Sequence, residues 1–410
     1  MTQHRPLTER VFNVTVIVAA LGYFVDIYDL ILFGIVRGPS LSALGYSGQE
    51  LVDKGLFLLN MQMAGMLIGG ILWGILGDMK GRISVLYGSI FLYSVANILN
   101  GMVVNMDQYA ILRLMAGIGL AGELGAGITL VNETMTKENR GYGTMVVVTF
   151  GALGAVVGAL VADNFQWQTS YYVGGGLGLA LLVLRIGTYE SGMFHKVKME
   201  TGTSLRFLKL FTDGRRLYKY ALCILIGVPI WFVIGILVIL SPELSDIIGV
   251  QGGVEAKWAI LWCYVGLSVG DFASGMISQL IKSRKKVVLY YIIGCTGVIL
   301  LYLYSRDISL FYFYFLCFAL GFSAGYWALF VTMASEQFGT NIRSTVTTTV
   351  PNFVRGSVIP VTLSYQFFND KFSAVPAATI VGMICMMAAF FALLPLQDTY
   401  GKDLDYMELD

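Results

Sequence analysis

Long apolar stretches recur along the whole chain, and most of them exceed 20 residues. A helix that rises about 1.5 Å per residue needs about 20 apolar residues to cross the hydrocarbon core of a bilayer. Strands of a membrane barrel would instead alternate apolar and polar residues over segments of about ten. Charged residues make up only 13% of the 410 residues, against about 25% in soluble domains. The chain is therefore predicted to be an all-α membrane protein.

Twelve transmembrane helices, called spans 1 to 12, are predicted from these stretches. Their approximate ranges are 12–36, 55–77, 83–104, 107–133, 142–163, 167–188, 217–240, 256–281, 287–304, 309–335, 344–368 and 374–396. With the N-terminus in the cytoplasm, the cytoplasmic segments hold 20 Lys and Arg residues and the outer segments five. Cytoplasmic loops are rich in these residues. We therefore expect an inner-membrane protein with both termini in the cytoplasm.

A polar stretch near the middle of the chain divides the spans into two groups of six. We expect an N-terminal six-helix bundle over residues 1–188, a cytoplasmic linker over 189–216 and a C-terminal six-helix bundle over 217–410. Within the linker, residues 204–211 are basic and amphipathic. This pattern fits a helix that lies on the inner membrane surface, and a plain tether is the alternative.

An internal repeat supports two related halves. Glu133 precedes Arg140 by seven residues at the inner end of span 4, and Glu336 precedes Arg343 by seven at the inner end of span 10. The second pair follows the first at an offset of 203 residues. The repeat predicts two pseudo-symmetric six-helix bundles, and transporters commonly place their solute site between such halves.

Residues 74–82 read GILGDMKGR and connect spans 2 and 3. This connection resembles that of the major facilitator superfamily, whose pattern is G-x-x-x-D-x-x-G-R. The second-half copy departs from the pattern, with Gln279 in place of the aspartate. The resemblance implies the major facilitator fold and a transporter function. Four residues match the pattern in register: Gly74, Asp78, Gly81 and Arg82.

The same resemblance implies a cytoplasmic gate, in which ion pairs hold the inner ends of the two halves together. Solvated loop charges that follow the positive-inside bias are the alternative. The residues assigned to this gate are Gly74, Asp78, Gly81, Arg82, Glu133, Arg140, Glu336 and Arg343.

Four charged residues lie inside spans 1 and 4. Asp26 and Asp29 lie three residues apart on one side of a helix. A charge within a bilayer is costly and should face a cavity or a partner. This D-x-x-D pattern resembles span 1 of the metabolite:proton symporters, and Arg113 begins a span 4 pattern similar to that of proton-linked family members. Depth along the helices places Arg113 near Asp29, and Asp26 and Glu123 are the candidate proton carriers.

The second half contributes Asp271 in span 8 and Asn352 and Arg355 in span 11. Arg355 lies between Pro351 and Pro360, so span 11 is expected to bend there. Its planar guanidinium suits a carboxylate or phosphate of the solute, and a permanent pair with Asp271 is the alternative. Aromatic residues expected to line the cavity are Tyr23, Tyr28, Trp231, Tyr326 and Trp327.

The sequence thus favours a secondary transporter of a small organic anion or zwitterion, such as an organic acid, an amino acid or a carboxylate siderophore. Coupling to a proton gradient by symport is expected, and an exporter or uniporter that uses the same cavity is the alternative. An intramembrane enzyme or receptor is a remote one, since the only histidines, His4 and His195, lie in polar segments. No metal, cofactor or nucleic acid is expected. The expected partners are the solute and the lipid bilayer, around a functional monomer.

Overall fold

The computed structural model describes residues 14–80, 82–123, 140–190 and 213–401. These residues are mostly helical, and they contain no strand beyond the isolated bridge between Gln251 and Ser309. The helices of the first half are Val14–Ala43, Gly48–Lys80, Arg82–Asn100, Met106–Leu120, Arg140–Asn164 and Trp167–Glu190. Those of the second half are Gly214–Phe232, the π-helical Val233–Val238, Ser241–Ile248, Ala256–Ile281, Arg284–Tyr304, Leu310–Ala324, Trp327–Glu336, Thr340–Gly356, Val358–Phe372 and Ala374–Leu393.

Each of the twelve predicted spans coincides with at least one helix. Within the described ranges, eight helical spans are long and apolar enough to cross a membrane. The apolar helices of spans 3 and 5 are shorter, at Val85–Asn100 and Phe150–Asn164. Span 4 is described only as far as residue 123, and span 11 is divided into two helices. Most of the predicted linker, residues 191–212, lies outside the described residues.

Helices extend past the apolar stretches that predicted them. Span 1 ends at Ala43, and span 2 begins at Gly48. Hydropathy marks the part of a helix that lies in hydrocarbon, so it misses polar turns beyond that part. We call the face at which span 1 ends the outer face, after the orientation that the positive charges predict.

Polar side chains begin several spans at their N-terminal ends. Asn105 accepts a hydrogen bond from the backbone N–H of Gln108 at 3.0 Å and so caps span 4. Ser283 accepts from the N–H of Lys286 at 3.2 Å and caps span 9 in the same way. Such caps satisfy N–H groups that have no partner within the helix.

Backbone contacts between helices repeat in the two halves. A Cβ atom added at Gly117 of span 4 would lie 2.0 Å from the carbonyl oxygen of Gln62 in span 2. In the second half, a Cβ atom at Gly321 of span 10 would lie 1.8 Å from the carbonyl oxygen of Cys263 in span 8. Only glycine permits these approaches. Spans 2 and 4 therefore pack as spans 8 and 10 do, which agrees with the predicted pseudo-symmetry.

Two pairs of spans make the largest contacts between the halves. Span 5 packs against span 8, and span 2 packs against span 11. Span 11 ends its first helix at Gly356 and begins its second at Val358, between the two prolines that predict a bend. A Cβ atom at Gly356 would lie 2.2 Å from Cγ of Leu67 in span 2, so the break lies directly against the other half.

Candidate functional site

A small central cavity lies between the two halves. Its volume is about 20 Å³, which is room for about one water molecule. Spans 1 and 5 of the first half and spans 7, 8, 10 and 11 of the second half enclose it. The protein is therefore closed around this point. The lining residues are Tyr23, Ile27, Ala152, Ile230, Trp231, Ile234, Tyr264, Leu267, Trp327 and Arg355.

Arg355 is the charged residue of this lining. It is 1% exposed, and its Nη2 lies 3.4 Å from Oδ2 of Asp26, a residue that is fully buried. Its guanidinium also lies over the ring of Trp327, 5.8 Å from the centroid. Nε and Nη1 of Arg355 and Oδ1 of Asp26 have no hydrogen-bond partner among the described residues. The pair is thus a single long contact that leaves most of the donor capacity of the guanidinium unused.

Asp271 is not the partner of Arg355, contrary to the alternative drawn from the sequence. Its Oδ1 accepts a hydrogen bond from the backbone N–H of Ala328 at 3.1 Å. Span 10 is interrupted after Ala324 and restarts at Trp327, so the first N–H groups of the second helix need acceptors. Asp271 provides one of these acceptors and stabilises the restart of the helix.

Asn352 joins the halves away from the cavity lining. Its Nδ2 donates to the carbonyl oxygen of Ala121 at 2.8 Å and to that of Thr348 at 3.0 Å. The first bond crosses from span 11 to the residue that follows the helix Met106–Leu120 of span 4.

The five predicted aromatic residues separate into two groups. Tyr23, Trp231 and Trp327 line the cavity. The structure does not bring Tyr28 and Tyr326 to this lining, because each hydroxyl donates to a backbone carbonyl within its own half. Tyr28 donates to Ser170 at 2.9 Å and Tyr326 to Ile226 at 3.0 Å.

A second set of buried charges lies inside the first half. Arg113 is fully buried, and its guanidinium lies 5.1 Å from the ring centroid of Phe33 and 5.9 Å from that of Tyr171. Asp29 is fully buried as well. Neither side chain has a hydrogen-bond partner in the described part of the chain. The structure therefore shows no direct pair between Arg113 and Asp29, and their expected proximity stays a prediction.

Glu123 has a close cationic partner that the sequence did not indicate. Both oxygens of its carboxylate contact the guanidinium of Arg185 in span 6, with Nη1 to Oε2 at 3.0 Å. Each of the two residues is 1% exposed. The charge count assigned Arg185 to the cytoplasm because it lies near the end of an apolar stretch. The pair gives Glu123 a role in joining spans 4 and 6.

Most of the predicted cytoplasmic gate lies outside what the structure describes. This holds for Gly81 and for the side chains of Asp78, Arg82, Glu133 and Arg140.

The remaining gate residues are described. A Cβ atom at Gly74 would lie 3.8 Å from Cγ2 of Thr349 in the other half. Glu336 pairs with Arg284 at 2.8 Å. Arg343 donates to the carbonyl oxygen of Phe338 at 3.1 and 3.2 Å. These contacts of Glu336 and Arg343 stay within the second half.

Comparison with known proteins gives relatives that are named as transporters. A protein of Haemophilus influenzae named as a metabolite transport protein is 29% identical over 410 residues, which cover 94% of this chain and 96% of that protein. The sialic acid transporter NanX of Escherichia coli is 22% identical over 280 residues, or 64% of this chain and 68% of NanX.

A solved structure shows the same fold. The inward-open xylose transporter XylE of Escherichia coli superposes with a TM-score of 0.71 at 16% identity, covering 97% of this chain and 98% of XylE. Twelve helices in two bundles form this fold. A family model described as the Major Facilitator Superfamily matches residues 19–362. Together with the transporter relatives above, this match makes the protein a membrane transporter of a small solute and not an enzyme, and the chain belongs to that superfamily.

Proposed function

We propose that the protein is a proton-coupled symporter of a small carboxylate, either an anion or a zwitterion. The single observation that carries this proposal is the Arg355–Asp26 pair between the halves. A buried guanidinium requires an anion. Asp26 meets this requirement through one contact at 3.4 Å, whereas a solute carboxylate could engage the fork of Arg355 with two parallel hydrogen bonds.

Exchange at Arg355 provides the coupling. When the carboxylate of the solute binds Arg355, Asp26 loses its cationic partner, and a buried carboxylate without a partner favours the protonated form. Solute and proton therefore bind together. When the solute leaves, Asp26 releases the proton and pairs with Arg355 again. In this account Asp26 is the proton carrier, because Glu123 keeps its own arginine.

The lining of the site suits an organic acid. Tyr23, Trp231, Tyr264 and Trp327 surround Arg355, so an apolar or cyclic body beside the carboxylate would find aromatic surface. The relative NanX is named for sialic acid, which is a carboxylic acid. Organic acids are therefore the first class of solute to test.

Movement of the halves completes the proposal. The solute reaches the central cavity by alternating access. The protein works as a monomer in the inner membrane, and both of its termini lie in the cytoplasm. The gate residues that follow the family pattern close the inner face, and the proton gradient supplies the energy without a cofactor.

Transport in proteoliposomes tests this function. A thermal-shift screen of organic acids on the purified protein first selects the solute, because binding stabilises the folded state. Accumulation of that acid above its outside concentration should require a pH gradient. If transport only equalised the concentrations of the acid on the two sides and did not depend on the pH gradient, a uniporter would be favoured instead.

A further inference from the structure

A second and larger cavity lies at the outer face, and we call it the outer vestibule. Its volume is about 700 Å³. The end of span 1 and the connection between spans 5 and 6 form one wall, and residues 242–243 and 255–257 of the second half form the other. Arg37 lies on its lining, ten residues after Ile27 of the central cavity. Ten helical residues correspond to about 15 Å, so the vestibule is a separate site.

Arg37 is a buried cation with unused donors. Its side chain is 3% exposed, and only Nη2 has partners: Oε1 of Glu243 at 2.5 Å and the carbonyl oxygen of Ile239 at 3.3 Å. Nε and Nη1 of Arg37 and Oε2 of Glu243 have no hydrogen-bond partner within the described ranges. Both unused donors of Arg37 are buried in this closed state, so a second carboxylate reaches them as the outer closure loosens.

The stem of Arg37 is held in a fixed position. A Cβ atom added at Gly55 of span 2 would lie 2.7 Å from Cδ of Arg37. The absence of a side chain at Gly55 thus makes room for the arginine beside span 2. Arg37 is thus a buried and closely packed guanidinium at the edge of a wide cavity and not a mobile surface charge.

Two ion pairs join the halves at this level. Arg37 of span 1 pairs with Glu243, which follows span 7. Lys257 at the start of span 8 pairs with Asp163 at the end of span 5, at 2.8 Å. Opening of the outer face must separate both pairs. Breaking the first alone would leave the guanidinium of Arg37 without an anion, which is strongly unfavourable for a buried charge.

We propose that Arg37 is an anion-binding site of the outer vestibule, at which the carboxylate of an arriving solute replaces Glu243 and so releases the outer closure. Glu243 is 29% exposed, so its carboxylate can turn into the vestibule when it is displaced. Arg37 remains paired throughout the exchange. This inference rests on the proposed transport of a carboxylate, and it assigns to Arg37 a role separate from that of Arg355.

Distances between spin labels across the outer face test this inference. The protein is placed in nanodiscs, where both sides of the bilayer are accessible and its orientation in the membrane does not matter. Labels on cysteines at Asp53 and Asp246, two exposed positions in different halves, report opening when the five native cysteines are replaced. Glu243→Gln should raise the long-distance population about tenfold, a change of about 1.4 kcal/mol, because the closed state would then bury the guanidinium of Arg37 without an anion. Glu50→Gln, at an exposed carboxylate in the first turn of span 2, is the matched control and should leave the distances unchanged.

Benzoate and its neutral amide benzamide are the probes for the anion site. Benzoate should increase the long-distance population in the protein with wild-type vestibule residues, and benzamide should not. The swap Arg37→Glu with Glu243→Arg should restore the short distance, and the double variant Arg37→Gln with Glu243→Gln should abolish the response to benzoate, because it leaves no guanidinium at this site. Because the vestibule is separate from the central cavity, the response should persist in Arg355→Lys.

Two results would overturn the inference. Glu243→Gln with unchanged distances would show that the pair does not close the outer face. A longer distance in Glu243→Gln, together with no effect of benzoate on the protein with wild-type vestibule residues, would show that Arg37 is not an anion site. Failure of the proposed function looks different: benzoate would still open the outer face, while no carboxylate would be accumulated with a pH gradient.

Discussion

The guanidinium of Arg355 in span 11 lies 3.4 Å from the carboxylate of Asp26 in span 1, and this ion pair joins the two halves at the central cavity. Both residues are almost fully buried. A buried pair is easily damaged by the loss of one member, because the remaining charge has no partner. The pair therefore affects stability and transport in ways that can be separated.

Arg355→Ala is expected to destabilise the protein by about 3–5 kcal/mol, because Asp26 is left as an orphaned buried charge. Adding Asp26→Ala should recover most of this loss without recovering transport. Arg355→Lys should fold but bind the solute more weakly, since lysine keeps the charge and lacks the fork. Unfolding midpoints and solute affinity measure the two effects. Full transport by the double alanine variant would reject Arg355 as the anion site.

Asp271→Ala is expected to lower stability by about 1–2 kcal/mol, the usual cost of removing an acceptor at the start of a helix. Solute affinity should change little, because Asp271 accepts from the N–H of Ala328 and does not pair with Arg355. Thermal unfolding and solute binding on the same preparations check this. A large loss of affinity with unchanged stability would contradict the assignment.

Glu123→Gln is expected to destabilise the protein, because Arg185 would lose the carboxylate that faces its fork. The double variant Glu123→Gln with Arg185→Gln should regain stability and still accumulate solute with a pH gradient. Accumulation in proteoliposomes is the deciding measurement. If the stable double variant exchanged solute but could not concentrate it, Glu123 and not Asp26 would be the proton carrier.

Asp398 lies after span 12, outside the membrane. Partial burial raises the pKa of its carboxyl, but hydrogen bonds from Ser283 and from backbone N–H groups outweigh this, so the pKa is lowered overall. A lowered pKa means stability that is present above the ordinary value, about 3.9 for Asp, and is lost as pH falls through the folded value.

Asp398→Asn should therefore lower the unfolding temperature near neutral pH, and its difference from the wild type should shrink below about pH 4. The effect should be about 1 kcal/mol, as for other residues that cap a helix. Asp53→Asn, at an exposed outer position, is the control. A difference that stays constant down to acid pH would contradict the role of the Asp398 charge.

Much of the fold could be predicted from the sequence, because both the length of a span and a break within it have a local signal in the sequence. Apolar length predicts the spans, and Pro351 and Pro360 predict the break that occurs between Gly356 and Val358. Asp26 and Arg355 were both recognised, because a charge within a long apolar stretch requires a partner. Their pairing was not predicted, since it depends on how spans 1 and 11 rotate and meet across the halves.

Other parts of the site could not be predicted for physical reasons. Arg185 and Arg37 lie near the ends of apolar stretches, where a charge is normally solvated, yet both are buried and paired. The alternative that Asp271 pairs with Arg355 could not be rejected from the sequence, because nothing in it shows that span 10 restarts at Trp327 and needs an acceptor. Helix ends that depend on tertiary packing have no local signal.

Solute affinity as a function of pH tests the exchange of Asp26 for the solute at Arg355 most directly. The purified protein is titrated with the acid that stabilises it most, at about pH 6 and about pH 8, with Asp53→Asn as control. In the wild type, affinity should fall as pH rises, because the ionised Asp26 competes for the guanidinium. In Asp26→Asn, binding should be about tenfold tighter at the higher pH and independent of pH, a change of about 1.4 kcal/mol. Equal affinities and an unchanged pH dependence in the two proteins would contradict the account.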